Sequence, residues 1–275
     1  MAYLALALMG PFEAVLDGKR VTWFQSDKAR ALLAYLAVEA AMPHARHALA
    51  GLLWPDVDDR HALHSLSQAL CSLRTVLHDH DALPPCLDIA PHTIQFNGAA
   101  GCWLDVAEFG GLVHWGTGKL VQRSGDDPGR DKAPTKLPVH QFTNLPALHQ
   151  AVALYRGPFL QDLALGDSNA FEEWAAIQRE RLHRLLMAAL YRLAEGCEAL
   201  GELEEALDCA RRQVELDPWR EEAHMQVMRL LARAGRRSEA LVQYHLCRRA
   251  LQRELGVEPG AATTQLYEEI KNNPR

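Results

Sequence analysis

The sequence predicts a mainly α-helical protein with a small β component, in which a winged helix-turn-helix domain precedes an all-helical domain of tetratricopeptide-like repeats. Three observations support this fold class. Short strands, three helices and a β-hairpin follow one another in the first hundred residues, which is the order of a winged helix. Helical periodicity continues without a break after residue 144, and a pattern of four residues recurs there at an offset of 34, the tetratricopeptide period.

The first strands and the first helix follow from local signals. Leucines alternate with small residues over 4–8, which predicts a half-buried strand. Asp17-Gly18 is typical of a hairpin turn and predicts a returning strand over 21–24. Ser26 offers an oxygen that can cap a helix start, so we expect a helix from there to about Glu39.

Two more helices and a hairpin complete the predicted winged helix. The second helix covers about 46–54, and the third, with an acidic first turn, covers about 58–78. Alternating apolar residues return at 87–89 and 94–96, which predicts a β-hairpin. Trp103 follows and is expected to add an edge to the sheet.

The change of pattern divides the chain into a winged-helix domain over 1–103 and a helical domain over 104–275. Scattered glycines, prolines and charges without a period predict a flexible insertion over 113–143. The helices that we expect after it cover about 145–156, 168–199, 203–216, 221–234, 237–255 and 262–272.

The helical domain contains an internal repeat. Gly201, Glu205, Ala206 and Leu207 recur as Gly235, Glu239, Ala240 and Leu241. Paired helices at this period stack on one another and bury a shared apolar seam. We therefore expect at least two helix pairs of tetratricopeptide type.

Composition excludes several classes of protein. Of the 275 residues, 48% are hydrophobic and 23% are charged, which is typical of a globular chain with a real core. No apolar run approaches the roughly 18 residues of a membrane span, and no signal peptide precedes the first strand. The six cysteines form no CxxC pair, so we expect reduced thiols and a cytoplasmic protein.

Several strings of residues, taken in order, resemble a known family, the bacterial transcriptional activators of the SARP and AfsR type. The strings are Lys28-Ala-Arg-Ala-Leu-Leu-Ala-Tyr-Leu-Ala, Ala48-Leu-Ala-Gly-Leu-Leu-Trp-Pro-Asp, Ser65-Leu-Ser-Gln-Ala-Leu, Leu154-Tyr-Arg-Gly-Pro-Phe-Leu, Phe171-Glu-Glu-Trp and Glu254-Leu-Gly-Val-Glu-Pro. The resemblance covers nearly the whole chain apart from 113–143.

The resemblance implies a function for each domain. Residues 1–103 would be an OmpR-like winged-helix DNA-binding domain, with the third helix as recognition helix and the hairpin as wing. Residues 104–275 would be a bacterial transcriptional activator domain. A protein of this family binds direct repeats near promoters as a dimer or in tandem, contacts RNA polymerase and activates transcription, without a membrane attachment.

The third helix has an outer face that suits the reading of DNA. At 100° per residue its leucines gather on one side, and the opposite side and its flanks carry groups that form hydrogen bonds. Glutamine can pair with adenine, and serine or histidine can reach base edges or phosphates. The DNA-binding candidates are Arg60, His61, His64, Ser65, Ser67, Gln68, Ser72, Arg74 and Thr75.

The charge of the first domain is unusual for DNA binding. Residues 1–103 hold seven lysines and arginines against ten acidic residues, a net charge of −3. Phosphate neutralisation by basic side chains provides most non-specific affinity. Lys28, Arg30 and Arg46 open predicted helices and are candidates for positioning phosphates. We expect DNA binding that is weak, or that depends on dimerisation or on a partner.

Two alternative functions remain open, and catalysis finds no support. An adaptor would bind protein through both domains, and a sensor would bind a small anionic effector through the 14 arginines between Gln178 and Arg253.

The sequence contains no HExxH, GxSxG or dinucleotide fingerprint, so we expect no enzyme and no cofactor. His44-x-x-His47, His61-x-x-His64 and Cys71 complete no recognised ligand spacing, so we expect no metal.

Overall fold

A computed structural model describes residues 3–80, 82, 84–117 and 144–272. The chain divides into two compact units. The first unit comprises Met1–Gly111 and Ala153–Arg184, and the second comprises Leu112–Val152 and Leu185–Arg275. The domain ranges 1–103 and 104–275 stay a prediction.

The predicted class is confirmed, since short strands and three helices precede a series of longer helices. The strands are β1 (Leu4–Ala7), β2 (Glu13–Leu16), β3 (Lys19–Arg20), β4 (His44–Ala45), β5 (Leu87–Ile89), β6 (Thr93–Phe96) and β7 (Cys102–Leu104). The helices are α1 (Asp27–Val38), α2 (Arg46–Leu53), α3 (Asp59–Val76), α4 (Asp105–Thr117), α5 (Leu145–Leu154), α6 (Asn169–Leu200), α7 (Leu203–Leu216), α8 (Glu221–Arg233), α9 (Arg237–Glu254) and α10 (Ala261–Asn272).

The strands of the first unit form two small sheets. One has the order β3-β2-β1-β7, with β1 antiparallel to β2 and parallel to β7. The other has the order β4-β6-β5, in which Leu87 lies opposite Phe96 across the hairpin. The predicted turn is confirmed, because Asp17 and Gly18 have φ angles of 49° and 77°. Both values lie in the left-handed region that such hairpin turns require.

The strand predicted over 21–24 is wrong. β3 ends at Arg20, and only the Val21 amide continues the pairing, with a hydrogen bond of 2.8 Å to the Ala14 carbonyl. Phe24 instead packs edge-on against Phe12, with ring centroids 5.4 Å apart. The chain leaves the sheet here and reaches Ser26. The Ser26 Oγ accepts a hydrogen bond from the Ala29 amide and caps the start of α1.

Leucines on one side of α1, α2 and α3 form the core of the winged helix. The buried residues are Leu32, Leu33, Leu36, Leu49, Leu53, Leu66, Leu70 and Leu73. Leu63 was expected on this face but is only half-buried. Ala62 and Ala69 are buried on α3 instead, and they allow a closer approach of the neighbouring helices.

Residues 153–184 belong to the first unit and pack against its strands and helices. The Leu160 amide donates a hydrogen bond of 2.8 Å to the Leu8 carbonyl. The Trp174 ring lies 4.9 Å from the Tyr35 ring, and its Nε1 donates to Glu39 at 2.9 Å. Two of the family-like strings, at 154–160 and 171–174, therefore stabilise the winged helix through direct contacts.

In the second unit, α5 packs closely against α4 and α6 because glycines face it. A Cβ added at Gly116 would collide with Leu148, and one added at Gly196 would collide with Leu145. Residues 113–117, assigned to the insertion, form the last turn of α4, so that part of the prediction is wrong. The glycine at 116 indicated a loop, but its missing side chain is needed for packing. The rest of the insertion, 118–143, lies outside the described residues.

The repeat corresponds to the pairs α7–α8 and α9–α10 of the second unit. Gly201 and Gly235 occupy equivalent positions, with φ angles of 84° and 74°, and each ends the preceding helix. Ala206 and Ala240 are fully buried at the equivalent place in the next helix. None of the helices in the described part of the chain is long and apolar enough to cross a membrane.

Candidate nucleic-acid interface

Helix α3 starts at a strong cap. Both the Arg60 and His61 amides donate to Asp58 Oδ1 at 3.1 Å, and the His61 ring is 2.5 Å from Asp58 Oδ2. The hydrogen bond from the His61 side chain is the main reason that the pKa of Asp58 lies below its usual value. The carboxylate therefore stays ionised and stabilises the helix start, where the helix dipole favours negative charge.

The structure places all nine DNA-binding candidates away from the core, and we call them together the α3 face. Six of them are exposed and three are half-buried. The exposed residues are Arg60, His61, His64, Ser67, Gln68 and Thr75, and the half-buried ones are Ser65, Ser72 and Arg74. The helical periodicity of the sequence correctly separated this face from the buried side.

Local hydrogen bonds hold several side chains of the α3 face but leave them capacity to bind. Gln68 Nε2 lies 3.0 Å from His64 Nε2, one helical turn earlier. The hydroxyls of Ser67 and Thr75 donate to the carbonyls of Leu63 and Cys71, at 2.8 and 3.0 Å. A hydroxyl that donates once can still accept, and Gln68 keeps its carbonyl oxygen.

The start of α2 supplies positive charge beside the α3 face. Arg46 Nη2 donates to Ser67 Oγ at 3.0 Å, so its guanidinium is held against α3. Unlike α1 and α3, α2 has neither a side-chain cap nor an acidic residue in its first turn. Amides at such a helix start can donate to a phosphate oxygen, and the helix dipole attracts the anion.

The other two phosphate candidates are engaged elsewhere in the first unit. Lys28 forms an ion pair of 2.7 Å with Asp167 and lies over the Trp54 ring. Arg30 is 2.5 Å from Asp27 and 3.5 Å from Asp162. These contacts tie α1 to residues 153–184, and no described contact brings either side chain to the α3 face.

An aromatic residue that the sequence analysis assigned to a strand lies beside the α3 face. Trp23 is 65% exposed, which is high for the largest apolar side chain. Together with Gln25 it borders an open depression of about 400 Å³ whose floor is formed by α3. The α3 residues that line the depression are Gln68, Cys71, Ser72 and Thr75. Trp23 was missed because the interpretation of 21–24 as a strand concealed its loop position.

The arginines of the second unit are mostly engaged by glutamates of neighbouring turns or helices. Arg236 shows the pattern, with two bonds of 2.8 and 2.7 Å to Glu239 and a longer contact to Glu204. Further pairs are Arg192–Glu195, Arg211–Glu239, Arg220–Glu222, Arg233–Glu198, Arg248–Glu258 and Arg253–Glu254. A large part of the arginine charge is thereby neutralised within the unit.

Two sequence comparisons show similarity to bacterial regulators of transcription. Residues 140–271 match the model of the Bacterial transcriptional activator domain. The chain is 32% identical, over 134 residues, to Transcriptional regulator RedD of Streptomyces coelicolor, an alignment that covers 49% of this chain and 37% of the relative.

A solved structure shares the fold along nearly the whole chain. Mycobacterium tuberculosis EmbR, in complex with a low affinity phosphopeptide, superposes with a TM-score of 0.70 at 23% identity. The match covers 99% of this chain and 66% of EmbR. The chain therefore spans less than two thirds of either of these relatives.

Proposed function

We propose that the chain, which is similar to bacterial transcriptional activators of the SARP and AfsR type, binds promoter DNA through the α3 face. The second unit then contacts RNA polymerase or another protein. Two copies bind together on DNA, as a dimer or in tandem. The similarity to these regulators supports a role in the regulation of transcription. The arrangement around α3 supports the specific mode of DNA binding.

The observation that carries this proposal is that the start of α2 lies beside the α3 face. The α3 face offers amide, hydroxyl and imidazole groups that can reach base edges in a major groove. The Arg46 guanidinium lies next to it and can hold a phosphate together with the amides that follow Arg46 in α2. The Arg46 amide itself donates to the His92 carbonyl at 3.0 Å. Base reading and phosphate positioning are thus available on adjacent elements, as sequence-specific binding requires.

The charge of the same region limits the affinity. Arg46 and Arg60 provide positive charge at the α3 face, and Arg74 is half-buried with its Nε lacking a described partner. Lys28 and Arg30 would contact phosphate only after they leave their aspartates. About three phosphate contacts per copy give a slope near −3 for log affinity against log salt. Binding by two copies would compensate for this small number.

A salt titration of DNA binding tests the proposal. We expect Arg46→Ala to weaken binding to all duplexes and to reduce the salt slope by about one unit. Arg253→Ala is the matched control, because it removes an exposed arginine of α9 that pairs with its neighbour Glu254. Equal slopes for the two variants would exclude Arg46 as a phosphate contact.

The adaptor function would replace this proposal if the chain bound no duplex at low salt. The sensor function has less support from the geometry, because an anionic effector would have to displace glutamates from the arginines of the second unit. A protein partner needs no such exchange, since exposed ion pairs commonly form the rim of protein interfaces.

A further inference from the structure

Three side chains of the second unit converge from three different helices. His149 lies on α5, Cys197 on α6 and Glu205 on α7. Their ligand atoms, an imidazole nitrogen, a thiol sulfur and a carboxylate oxygen, all lie within 4.8 Å of one another. His149 Nε2 and Glu205 Oε1 are 3.5 Å apart. The residues are separated by up to 56 positions, so the fold and not a local motif brings them together.

The repeat offers an internal comparison for this cluster. Glu239 is the equivalent of Glu205, and it forms ion pairs with Arg236 and Arg211. Glu205 instead faces His149, and its carboxylate lies within 4.8 Å of the Cys197 sulfur. Cys197 itself takes the place that a buried leucine, Leu231, occupies in the second repeat. In the first repeat, an imidazole and a thiol thus surround the glutamate. In the second repeat, arginines neutralise the equivalent glutamate.

We propose that His149, Cys197 and Glu205 bind Zn²⁺, with water in the fourth position. Neighbouring ligands of a tetrahedral zinc ion are about 3.4 Å apart, since each lies about 2.0 to 2.3 Å from the metal. The separation of 3.5 Å between His149 and Glu205 matches one edge of that tetrahedron. Nitrogen, sulfur and oxygen together are a donor set that suits zinc better than calcium or magnesium.

Access and proton balance are consistent with such a site. Cys197 is fully buried, whereas the side chains of His149 and Glu205 are 42% and 47% exposed, so an ion can enter from solvent. As the sulfur–zinc bond forms, the Cys197 thiol releases its proton to solvent, and neutral His149 donates a ring lone pair.

Occupancy of the site would connect α5, α6 and α7 of the second unit. A ligand that binds the folded state alone stabilises it according to its concentration relative to the dissociation constant. At a hundredfold excess of free Zn²⁺ over that constant, we expect Tm of the second unit to rise by about 5 to 10 °C. The site would then be a metal-dependent brace of the helical repeat.

The test uses the untagged full chain, stripped with a chelator and titrated with Zn²⁺ and separately with Co²⁺. We expect one bound zinc per chain and, with cobalt, a near-ultraviolet charge-transfer band from the Cys197 thiolate. Glu205→Gln and His149→Asn alter exposed side chains, so they should fold, and each should weaken zinc binding about 100-fold. Cys197→Ser should abolish the cobalt charge-transfer band.

Cys247→Ser is the matched control, because Cys247 is another buried thiol of the second unit, on α9. It should keep zinc binding and the cobalt band, and circular dichroism should show the same helix content for all variants. The proposal would be overturned if Glu205→Gln and His149→Asn bound zinc as tightly as the unaltered chain. A cobalt spectrum without a thiolate band would overturn it as well.

Discussion

The α3 face and the second unit differ in how their polar side chains are used. The second unit is rich in arginine, yet glutamates of the same unit engage many of these guanidiniums. The α3 face has few charges, but Gln68 and Thr75 each make one described hydrogen bond and keep an oxygen that can accept another. Ser67 donates to the Leu63 carbonyl and accepts from Arg46. The proposed DNA interface therefore depends on polar groups that remain available for hydrogen bonds, and not on the number of charges.

Polar side chains in the interior of the second unit are paired with one another or with the backbone, and so are not available to a partner. Gln213 Nε2 donates to Gln226 Oε1 at 2.8 Å, and both side chains are fully buried. His224 is buried between the Pro218 carbonyl, which accepts from its Nε2 at 2.9 Å, and Gln243, at 2.8 Å from its Nδ1. These pairs have a structural role, so their loss should affect stability and not DNA binding.

The largest effect is expected from Gln226→Ala. The change leaves the buried Gln213 amide with only its long contact of 3.5 Å to the Cys209 carbonyl and creates a cavity. We therefore expect the second unit to lose about 2 to 4 kcal/mol of unfolding free energy. Denaturant titration measures this loss. Gln68→Ala, on the exposed α3 face, should change the unfolding free energy by less than about 0.5 kcal/mol.

A double variant distinguishes the hydrogen bond from the cavity. Gln213→Leu combined with Gln226→Leu removes both polar partners while most of the volume is kept. We expect the double variant to be more stable than Gln226→Ala, because no buried amide is left unpaired. If the double variant were the less stable of the two, the buried pair would not have the role that we assign to it.

A smaller, pH-dependent effect is expected at His224. Its burial lowers the pKa below the ordinary value of 6.5, against the opposing effect of its hydrogen bonds. The unfolded chain therefore binds this proton more readily than the folded chain. The contribution of neutral His224 to stability is complete above pH 6.5 and is lost as the pH falls through the lowered pKa.

Thermal unfolding of His224→Gln beside the unaltered chain checks this sign. The difference in Tm of the second unit should be largest near pH 8 and should shrink toward about pH 5.5. His245→Gln is the control, since His245 is exposed on the same unit, and its difference should stay small at every pH. A difference for His224→Gln that did not change with pH would contradict the buried neutral imidazole.

The smallest effect is expected at the exposed ion pairs. Arg236→Gln removes the bidentate pair with Glu239, which holds the pKa of that carboxyl below its usual range. Exposed pairs contribute little because solvent screens them, so Tm should stay within about 2 °C and DNA binding should not change. A clear loss of DNA affinity would show that this arginine is available after all and would weaken the comparison.

Features that depend on neighbouring residues were predictable from the sequence. The Ser26 cap, the Asp17-Gly18 turn and the amphipathic α3 each depend on residues within one or two turns. The repeat at 34 residues likewise predicted the helix pairs around Gly201 and Gly235. Most of the α3 face could be assigned in advance because helix geometry alone separates its two sides.

Features that depend on distant contacts were not predictable. Strand β4 has only two residues, and it exists because His44 and Ala45 pair with β6. The parallel pairing of β1 with β7 joins residues about a hundred positions apart. The place of Trp23 beside Gln68 and the convergence of His149 with Cys197 depend in the same way on tertiary packing.

The central claim, that the α3 face reads DNA, is tested most directly through Gln68. The full chain would be used to select sequences from randomised duplexes, together with Gln68→Ala and the control Gln265→Ala, which alters another exposed helical glutamine bonded one turn away. Gln68→Ala should relax the preference at one base pair by about 1 to 3 kcal/mol and leave binding to random DNA nearly unchanged. Base preferences identical to those of Gln265→Ala, or no preference in the unaltered chain, would contradict the claim.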